Sequence, residues 1–358
     1  MVYYLIFSSL IFASYLRKFG PEIERFLYTF FISVLFIFCA FRYEVGCDWL
    51  TYQEIFLYDN AVYFFRAGGT IEFGYNLLMI ALKNLGFGFL AFNVAISLIF
   101  FAGLNALAQR NINPLFFLAL AFPIIIVQLP MSGLRQAAAF GFLCFSFLGF
   151  IDRKTFKFLI YIVLAASFHS SAVIFFLLTP FLWLKFSMKN ILFMGILSLP
   201  ILGLIFNSSY GALAISRYVE GDLSAFGAYF RVGILFLIGV YFMLFMQSEW
   251  KKTFPRDYQF VLIGAIGMIA LFVLILPVST VIADRVGFYL WIPALLILAR
   301  IQNIEGRYRQ LMVISCFAAF FLMFLFWSTN TYFFSRCYDP YQIKFLSIDF
   351  LEHAAFIA

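Results

Sequence analysis

Arg42, Arg135, Arg217, Arg231 and Arg285 each stand at the end of a long apolar run, and all five fall on one side when the gaps between runs are sorted alternately. A guanidinium presents a planar fork of donors that matches a multiply charged oxyanion such as phosphate, where a lysine presents a point charge. The gaps on that side hold seven Arg, including Arg66 and Arg336, against two Lys, Lys83 and Lys344; the other side holds eight Arg and seven Lys. Lysine alone would serve to orient a membrane protein. A face that keeps arginine points to anion recognition, and five arginines from distant parts of the chain could converge on one cavity.

Three further groups could add chemistry. Arg42-Tyr43-Glu44-Val45-Gly46-Cys47-Asp48-Trp49-Leu50-Thr51-Tyr52 combines a cation, two carboxylates, a glycine and three aromatics. The ordinary reading of Arg42 alone is snorkelling at a helix end. His169, in Ser167-Phe168-His169-Ser170-Ser171, is the one histidine within the apolar region and lies at a junction of two apolar segments. It could take a proton near neutral pH, or it could be a hydrogen-bonded helix-end residue. Asp48 is the alternative base, and nothing in the sequence separates the two. Asp284-Arg285, followed by Tyr289, interrupts another gap and reads by itself as a local surface pair. Gln136 beside Arg135 and Tyr52 beside Asp48 complete the candidate binding set. His353 near the C-terminus has no such neighbourhood.

The elements that must position these residues are helices. The chain has 358 residues, 65% of them hydrophobic and 11% charged, against about 25% charged in a soluble domain. Twelve apolar spans are expected, at 2–16, 26–41, 87–108, 114–130, 133–151, 156–168, 170–184, 190–206, 231–247, 259–278, 286–300 and 311–328, from the need for about 20 apolar residues per crossing. The fold class is therefore an all-α, polytopic membrane protein, read as a single domain over 1–358. One set of gaps carries 15 Lys+Arg and 6 Asp+Glu, the other 9 and 11. The positive-inside rule makes the first set cytoplasmic. The long segments 42–86, 207–230 and 329–358 then lie outside, with a short interfacial helix around Asn76–Leu82 and tyrosines near glycines in 207–230. Residues 1–16 read as a first span with its N-terminus outside, since no basic stretch precedes them and no cleavage site follows.

Gly133, Ala137 and Gly141 lie at i, i+4 and i+8, a face suited to close helix packing. Cys39, Cys144 and Cys316 fall in apolar helices as plain thiols. Cys47 and Cys337 both fall outside, and a disulfide between them is open if that space is oxidising. The net charge of +7 comes mostly from inner loops, so it reports topology and not nucleic-acid binding. No Walker loop, HExxH, Ser-His-Asp pattern or DxD pair occurs, so neither a cofactor nor a metal is expected. Helix interiors lack Asp, Glu, Lys and Arg, which disfavours an ion-coupled pump.

An ordered series of short motifs resembles a known family. It runs Arg42-Tyr43-x-x-Gly46-x-Asp48-x-x-x-Tyr52, Glu72-x-Gly74-Tyr75-x-Leu77-Leu78, Leu134-Arg135-Gln136, Phe168-His169-Ser170-Ser171-Ala172 and Arg285-x-x-x-Tyr289. This is similar to the EpsG family of polysaccharide polymerases, which overlaps the Wzy-type O-antigen polymerases. The resemblance implies a GT-C-like bundle of helices in the bacterial inner membrane. It implies a glycosyltransferase reaction in lipopolysaccharide or exopolysaccharide biosynthesis: joining oligosaccharide units carried on undecaprenyl diphosphate at the periplasmic face. It also implies membrane lipids and a Wzz-type chain-length regulator as partners.

Arg42, Arg135, Gln136, Arg217, Arg231, Arg285, Tyr52 and Tyr289 are then expected to bind diphosphate and substrate, with His169 or Asp48 as base and the arginines replacing a metal. An O-antigen ligase and a lipid-linked oligosaccharide flippase are the alternatives. The lipopolysaccharide ladder of a strain lacking the gene separates them: one repeat unit on core means polymerase, bare core means ligase.

The charge asymmetry makes a topological prediction. Reporter fusions at Lys252 and at Gly221 should report the cytoplasm and the opposite face respectively; one shared side would overturn the placement of the arginines.

Overall fold

The computed structural model describes residues 1–58, 72–187, 189–191, 193, 196, 225, 227–303 and 309–344. Among them helices dominate and no strand is formed beyond an isolated bridge between Arg42 and Ile343. Among the described residues eight helices are long and apolar enough to cross a membrane, so the chain is a multi-pass membrane protein. Three shorter apolar helices coincide with the predicted segments 2–16, 156–168 and 170–184. Most of the predicted span 190–206, most of the loop 207–230 with Arg217, and His353 lie outside the described residues.

Ser170–Leu182 is wound as a 3₁₀-helix. At about 2.0 Å per residue it extends further than an α-helix of equal length, which lets a short segment cover more of a bilayer about 30 Å thick.

The helices group into two compact units. Unit 1 holds residues 1–146, 160–173 and 298–358, and unit 2 holds 147–159 and 174–297. The divisions fall inside helical segments, so no linker composition marks them in the sequence.

In unit 1, α1 (Val2–Leu16), α2 (Pro21–Ala40), α3 (Trp49–Tyr58), α4 (Phe73–Asn84) and α5 (Phe89–Ala108) precede α6 (Pro114–Ser132). Helix α6 is apolar nearly all round and almost all of its residues are buried, as expected of a helix enclosed by others. Helices α1 and α2 pack on it, and α2 also packs on α5. Pro123 begins a π-helical turn over Phe122–Ile126; its missing N–H frees a carbonyl one turn back and loosens the ladder there.

In lipid, apolar surface gains little from burial, so helix contacts depend on close packing. A Cβ on Gly141 of α7 (Leu134–Ile151) would lie 2.4 Å from the Ile99 carbonyl oxygen, and one on Gly103 would lie 2.0 Å from that of Gly141. The expected small-residue face is thus tight at Gly141. Gly133 makes only ordinary contacts, nearest 3.7 Å, because it joins α6 to α7, its N–H bonded to Leu129 O at 2.8 Å.

The segment after α2 is pinned to the end of the described chain. Cys47 and Cys337 form a disulfide with Cα atoms 4.7 Å apart. Tyr43 N–H donates to Gln342 O, Gly46 N–H to Cys337 O and Lys344 N–H to Phe41 O, at 3.0, 2.6 and 3.0 Å. Gly46 has φ +109, and a Cβ there would sit 1.8 Å from Met131 O. Only glycine fits both the backbone angle and the approach.

In unit 2, α8 (Thr155–Phe168) and α9 (Ser170–Leu182) are followed by α10 (Gly227–Thr253), α11 (Tyr258–Ile275) and α12 (Thr280–Asn303), of which α8, α9 and α12 are each shared with unit 1. Helix α10 packs on α11. Two sequence expectations change here. Asp284 and Arg285 do not interrupt a gap, because α12 begins at Thr280 and carries both in its second turn. Arg231 likewise lies in the second turn of α10. Reading helix ends from apolar runs stops at the first charge, whereas the backbone ladder runs on past a charge that finds a partner.

Candidate functional site

One set of polar side chains in unit 1 is centred on Glu72. This residue caps α4 at its N-terminus, yet its carboxylate makes no cap bond. Oε2 instead accepts from Arg135 Nη1 at 2.6 Å, and Oε1 lies 2.6 Å from His169 Nδ1. The Ser170 backbone N–H approaches Oε1 at 3.4 Å. The Glu72 backbone carbonyl accepts from Asn76 Nδ2 at 2.8 Å, which fixes the start of α4.

Each partner has a local reason for its position. His169 sits at the junction of α8 and α9, its backbone N–H donating to Ala165 O and its carbonyl accepting from Ala172 N–H. Gly74 lets α4 lie against this junction: a Cβ there would come 2.3 Å from Ser167 Oγ and 2.9 Å from Phe168 Cε2. Arg135 is the second residue of α7. A cation at a helix N-terminus opposes the helix dipole, and the Glu72 contact offsets that cost. The Arg135 guanidinium lies 5.9 Å from the Tyr52 ring and 5.8 Å from the Tyr75 ring, within cation–π range.

Glu72 is 8% exposed and Arg135 40%. Burial acts to raise the Glu72 pKa, but the hydrogen bond from His169 and the charge of Arg135 outweigh it and hold the carboxyl at about 2. An ionised carboxylate only accepts. The hydrogen in its contact with His169 therefore belongs to Nδ1, and Nε2 is the ring nitrogen left outside that contact. A carboxylate that fixes the tautomer and faces the incipient imidazolium is how a histidine base is commonly held. The exposed part of Arg135 supplies fixed N–H donors beside it.

The other expected site residues are distributed differently. Tyr52 is buried against Arg135, and burial raises its phenol pKa against the opposing charge of Arg135. Asp48 is exposed and makes no side-chain hydrogen bond or ion pair among the described residues. Gln136 follows Arg135 on α7, partly exposed. Arg42 is 1% exposed and grips backbone: Nε reaches Val45 O and Met131 O at 3.0 and 3.2 Å, and Nη1 reaches Cys39 O at 2.7 Å.

In unit 2, Arg231 forms a two-pronged pair with Asp284, Nε to Oδ1 and Nη2 to Oδ2 both at 2.8 Å. This replaces the local Asp284-Arg285 pair. Arg285 is partly exposed, and Tyr289 is fully buried with its ring against Phe175. Arg217 lies outside the described residues.

Four of the sequence motifs thus supply Tyr52, Glu72 with Tyr75, Arg135 and His169 to one cluster. A family model for EpsG matches residues 25–343. The chain belongs to the EpsG family. This is a Wzy-like polymerase family of polysaccharide biosynthesis. No curated protein and no solved structure matches the chain.

Glu72 is the residue that the arginine-centred reading passes over as a site. Its signal lies within the EpsG motif: an acid two residues before a glycine at the start of a helix, on the face richest in arginine. An acid placed there needs a cation, and the glycine lets its helix come close enough to reach one.

Two predictions follow from this geometry. Gly74→Ala should lower polymer formation by about tenfold or more at unchanged protein level, since small displacements at a reacting centre are costly. Adding Ser167→Ala should restore part of the loss; no rescue would mean that the Gly74 contact does not set the position of Glu72.

The second concerns pH. A carboxyl at about 2 when folded, against its ordinary 4.5, stabilises the fold fully above about 4.5, and this contribution fades as pH falls through about 2. Thermal unfolding in detergent should therefore show an acid limb in that window that Glu72→Gln flattens. Identical limbs in both proteins would refute the pairing.

Proposed function

We propose that the chain elongates a polysaccharide by transferring a growing glycan from undecaprenyl diphosphate to a lipid-linked repeat unit, at the periplasmic face of the bacterial inner membrane. The observation that carries this reading is that one carboxylate lies 2.6 Å from a histidine nitrogen and 2.6 Å from an arginine nitrogen. Glycosyl transfer from a lipid diphosphate requires a group for the acceptor proton and a group for the leaving charge, and these two side chains are of those kinds.

In this mechanism His169 Nε2 accepts the proton of the acceptor hydroxyl. The hydroxyl oxygen bonds to the anomeric carbon of the donor. The bond from that carbon to the diphosphate oxygen breaks, and its electron pair leaves with the lipid diphosphate. Glu72 keeps the imidazole in the basic tautomer and stabilises the imidazolium that forms. Arg135 faces the developing phosphate charge, in the role that a metal fills in many glycosyltransferases, so the reaction needs no divalent ion. The rings of Tyr52 and Tyr75 limit the freedom of Arg135, which lowers the cost of ordering it in the transition state.

The placement draws on three supports. Disulfides persist in oxidising spaces, and Cys47–Cys337 suits the periplasmic side. The loop charges set the same orientation. Family membership supports lipid-linked glycan substrates; the GT-C-like architecture and a Wzz-type partner extend the same resemblance.

The test is polymerisation by purified protein supplied with lipid-diphosphate oligosaccharide in excess EDTA. Arg135→Ala should abolish product, and Arg135→Lys should fail badly because an ammonium does not reproduce the fork. His169→Gln should cost roughly 10²–10⁴-fold in turnover. Normal chain growth by the Gln variant would remove the base role, and strict dependence on Mg²⁺ would overturn the arginine role.

A further inference from the structure

A second polar site in unit 1 lies apart from the Glu72 cluster. A cavity of about 270 Å³ is lined by Arg42, Trp49, Gln53, Gly88, Asn93 and Lys344 among others. Three of these residues carry buried polar atoms that meet no partner among the described residues: Arg42 Nη2, Trp49 Nε1, and both Nδ2 and Oδ1 of Asn93. Their relative exposures are 1, 4 and 1%. Buried polar atoms are nearly always satisfied, so a concentration of orphans on one cavity marks a place built for a ligand.

The missing ligand has a definable charge. Among the described residues all of Arg42's partners are carbonyl oxygens, and no carboxylate among them meets this buried guanidinium. Removing a charge from water without a counter-charge is costly. Burial holds its pKa down to about 10. Lys344 adds a second cation, held 4.5 Å above the Tyr43 ring. Gly88, Phe89 and Leu90 place the N-terminus of the 20-residue helix α5 at the same cavity. Gly88 caps that helix without a side chain, so first-turn N–H groups and the helix dipole add to the pull on an anion.

The ligand also has hydroxyls and a size. Asn93 and Gln53 offer both donors and acceptors, and Trp49 offers an indole N–H beside an aromatic wall. The volume lies just under the roughly 300 Å³ at the small end of ligand pockets, so it suits one sugar ring and not an oligosaccharide. Trp49, Gln53, Phe56 and Leu57 line it at i, i+4, i+7 and i+8 of α3, while Tyr52 on the adjoining face of that helix meets Arg135. A glycan at the Glu72 cluster could thus place a neighbouring residue across α3.

We propose that this cavity is a subsite for an acidic sugar residue of the glycan, its carboxylate toward Arg42 and Lys344 and its hydroxyls toward Asn93 and Gln53. The inference rests on the polymerase reading for the origin of the sugar, but the site can be tested without polymerisation. The probe is glucuronate, compared with glucose and inorganic phosphate, on the full chain in nanodiscs by saturation-transfer NMR.

Glucuronate should bind about tenfold more tightly than glucose, the scale of one charge-assisted contact, and Lys344→Ala should weaken it by about tenfold. Asn93→Asp should remove glucuronate binding and raise the thermal unfolding temperature of the free protein, because it supplies the acid that Arg42 lacks. Equal binding of glucose, no saturable glucuronate signal, or binding unaffected by both variants would overturn the proposal. So would displacement by equimolar phosphate, which would mark a plain anion site. Glucuronate binding in a protein that fails to polymerise would retain this subsite and remove the enzyme reading; polymerisation without glucuronate binding would do the reverse.

Discussion

Glu72 places one negative charge between Arg135 and His169, and the chemistry available to unit 1 depends on it. Without it, a guanidinium at the N-terminus of α7 would oppose the helix dipole, and the imidazole would have nothing to choose its tautomer. Removing one partner of a buried ion pair costs about 3–5 kcal/mol. Arg135 is 40% exposed, whereas Glu72 is 8% exposed. Water can therefore compensate the arginine in part, and the carboxylate is the member that most needs its partners. The dependence runs both ways: Glu72 orders the two groups, and they keep it ionised where burial alone would not.

That carboxylate reaches its partners only because backbones approach closely. Gly74 brings α4 onto the α8–α9 junction, and Gly46 brings the loop after α2 onto Met131. Gly141 and Gly103 bring α7 onto α5, which fixes the helix that carries Arg135. In a bilayer these approaches replace the hydrophobic drive that would assemble a soluble core. The disulfide and the backbone bonds around residues 41–47 and 337–344 hold the remaining irregular segment, which has no helix ladder of its own. The site is thus carried on helix ends and their junctions, each fixed by a neighbour, and not on a free loop.

Much of this was legible in the sequence. Apolar run length located the apolar helices among the described residues, since a membrane leaves few alternatives, but not the short helix α3. Arg135 and His169 stood out because ionisable residues are rare in such a chain. Helix ends were less legible: Asp284 and Arg231 satisfy one another across two helices, so neither ends its helix as an unpaired charge would. Glu72 was hidden for a related reason. An acid reads as one charge among many until its partners, 63 and 97 residues away, are known. The pairing of Cys47 with Cys337, 290 residues apart, was closed to sequence reasoning on the same ground.

Three arginines show why counting guanidinium groups does not locate a site. Arg231 meets Asp284 with both prongs of its fork and is largely neutralised. Arg42 is gripped by carbonyls at Nε and Nη1 and meets no carboxylate among the described residues. Arg135 spends one prong on Glu72 and keeps part of its surface exposed. All three looked alike as arginines at the ends of apolar runs. What separates them is the formal charge of their partners and the water that still reaches them. Arg135 has its position fixed without its charge being wholly consumed, a combination suited to a transition state whose negative charge appears only briefly. Arg42, with its position fixed and no carboxylate against it among the described residues, is suited to an anion that stays.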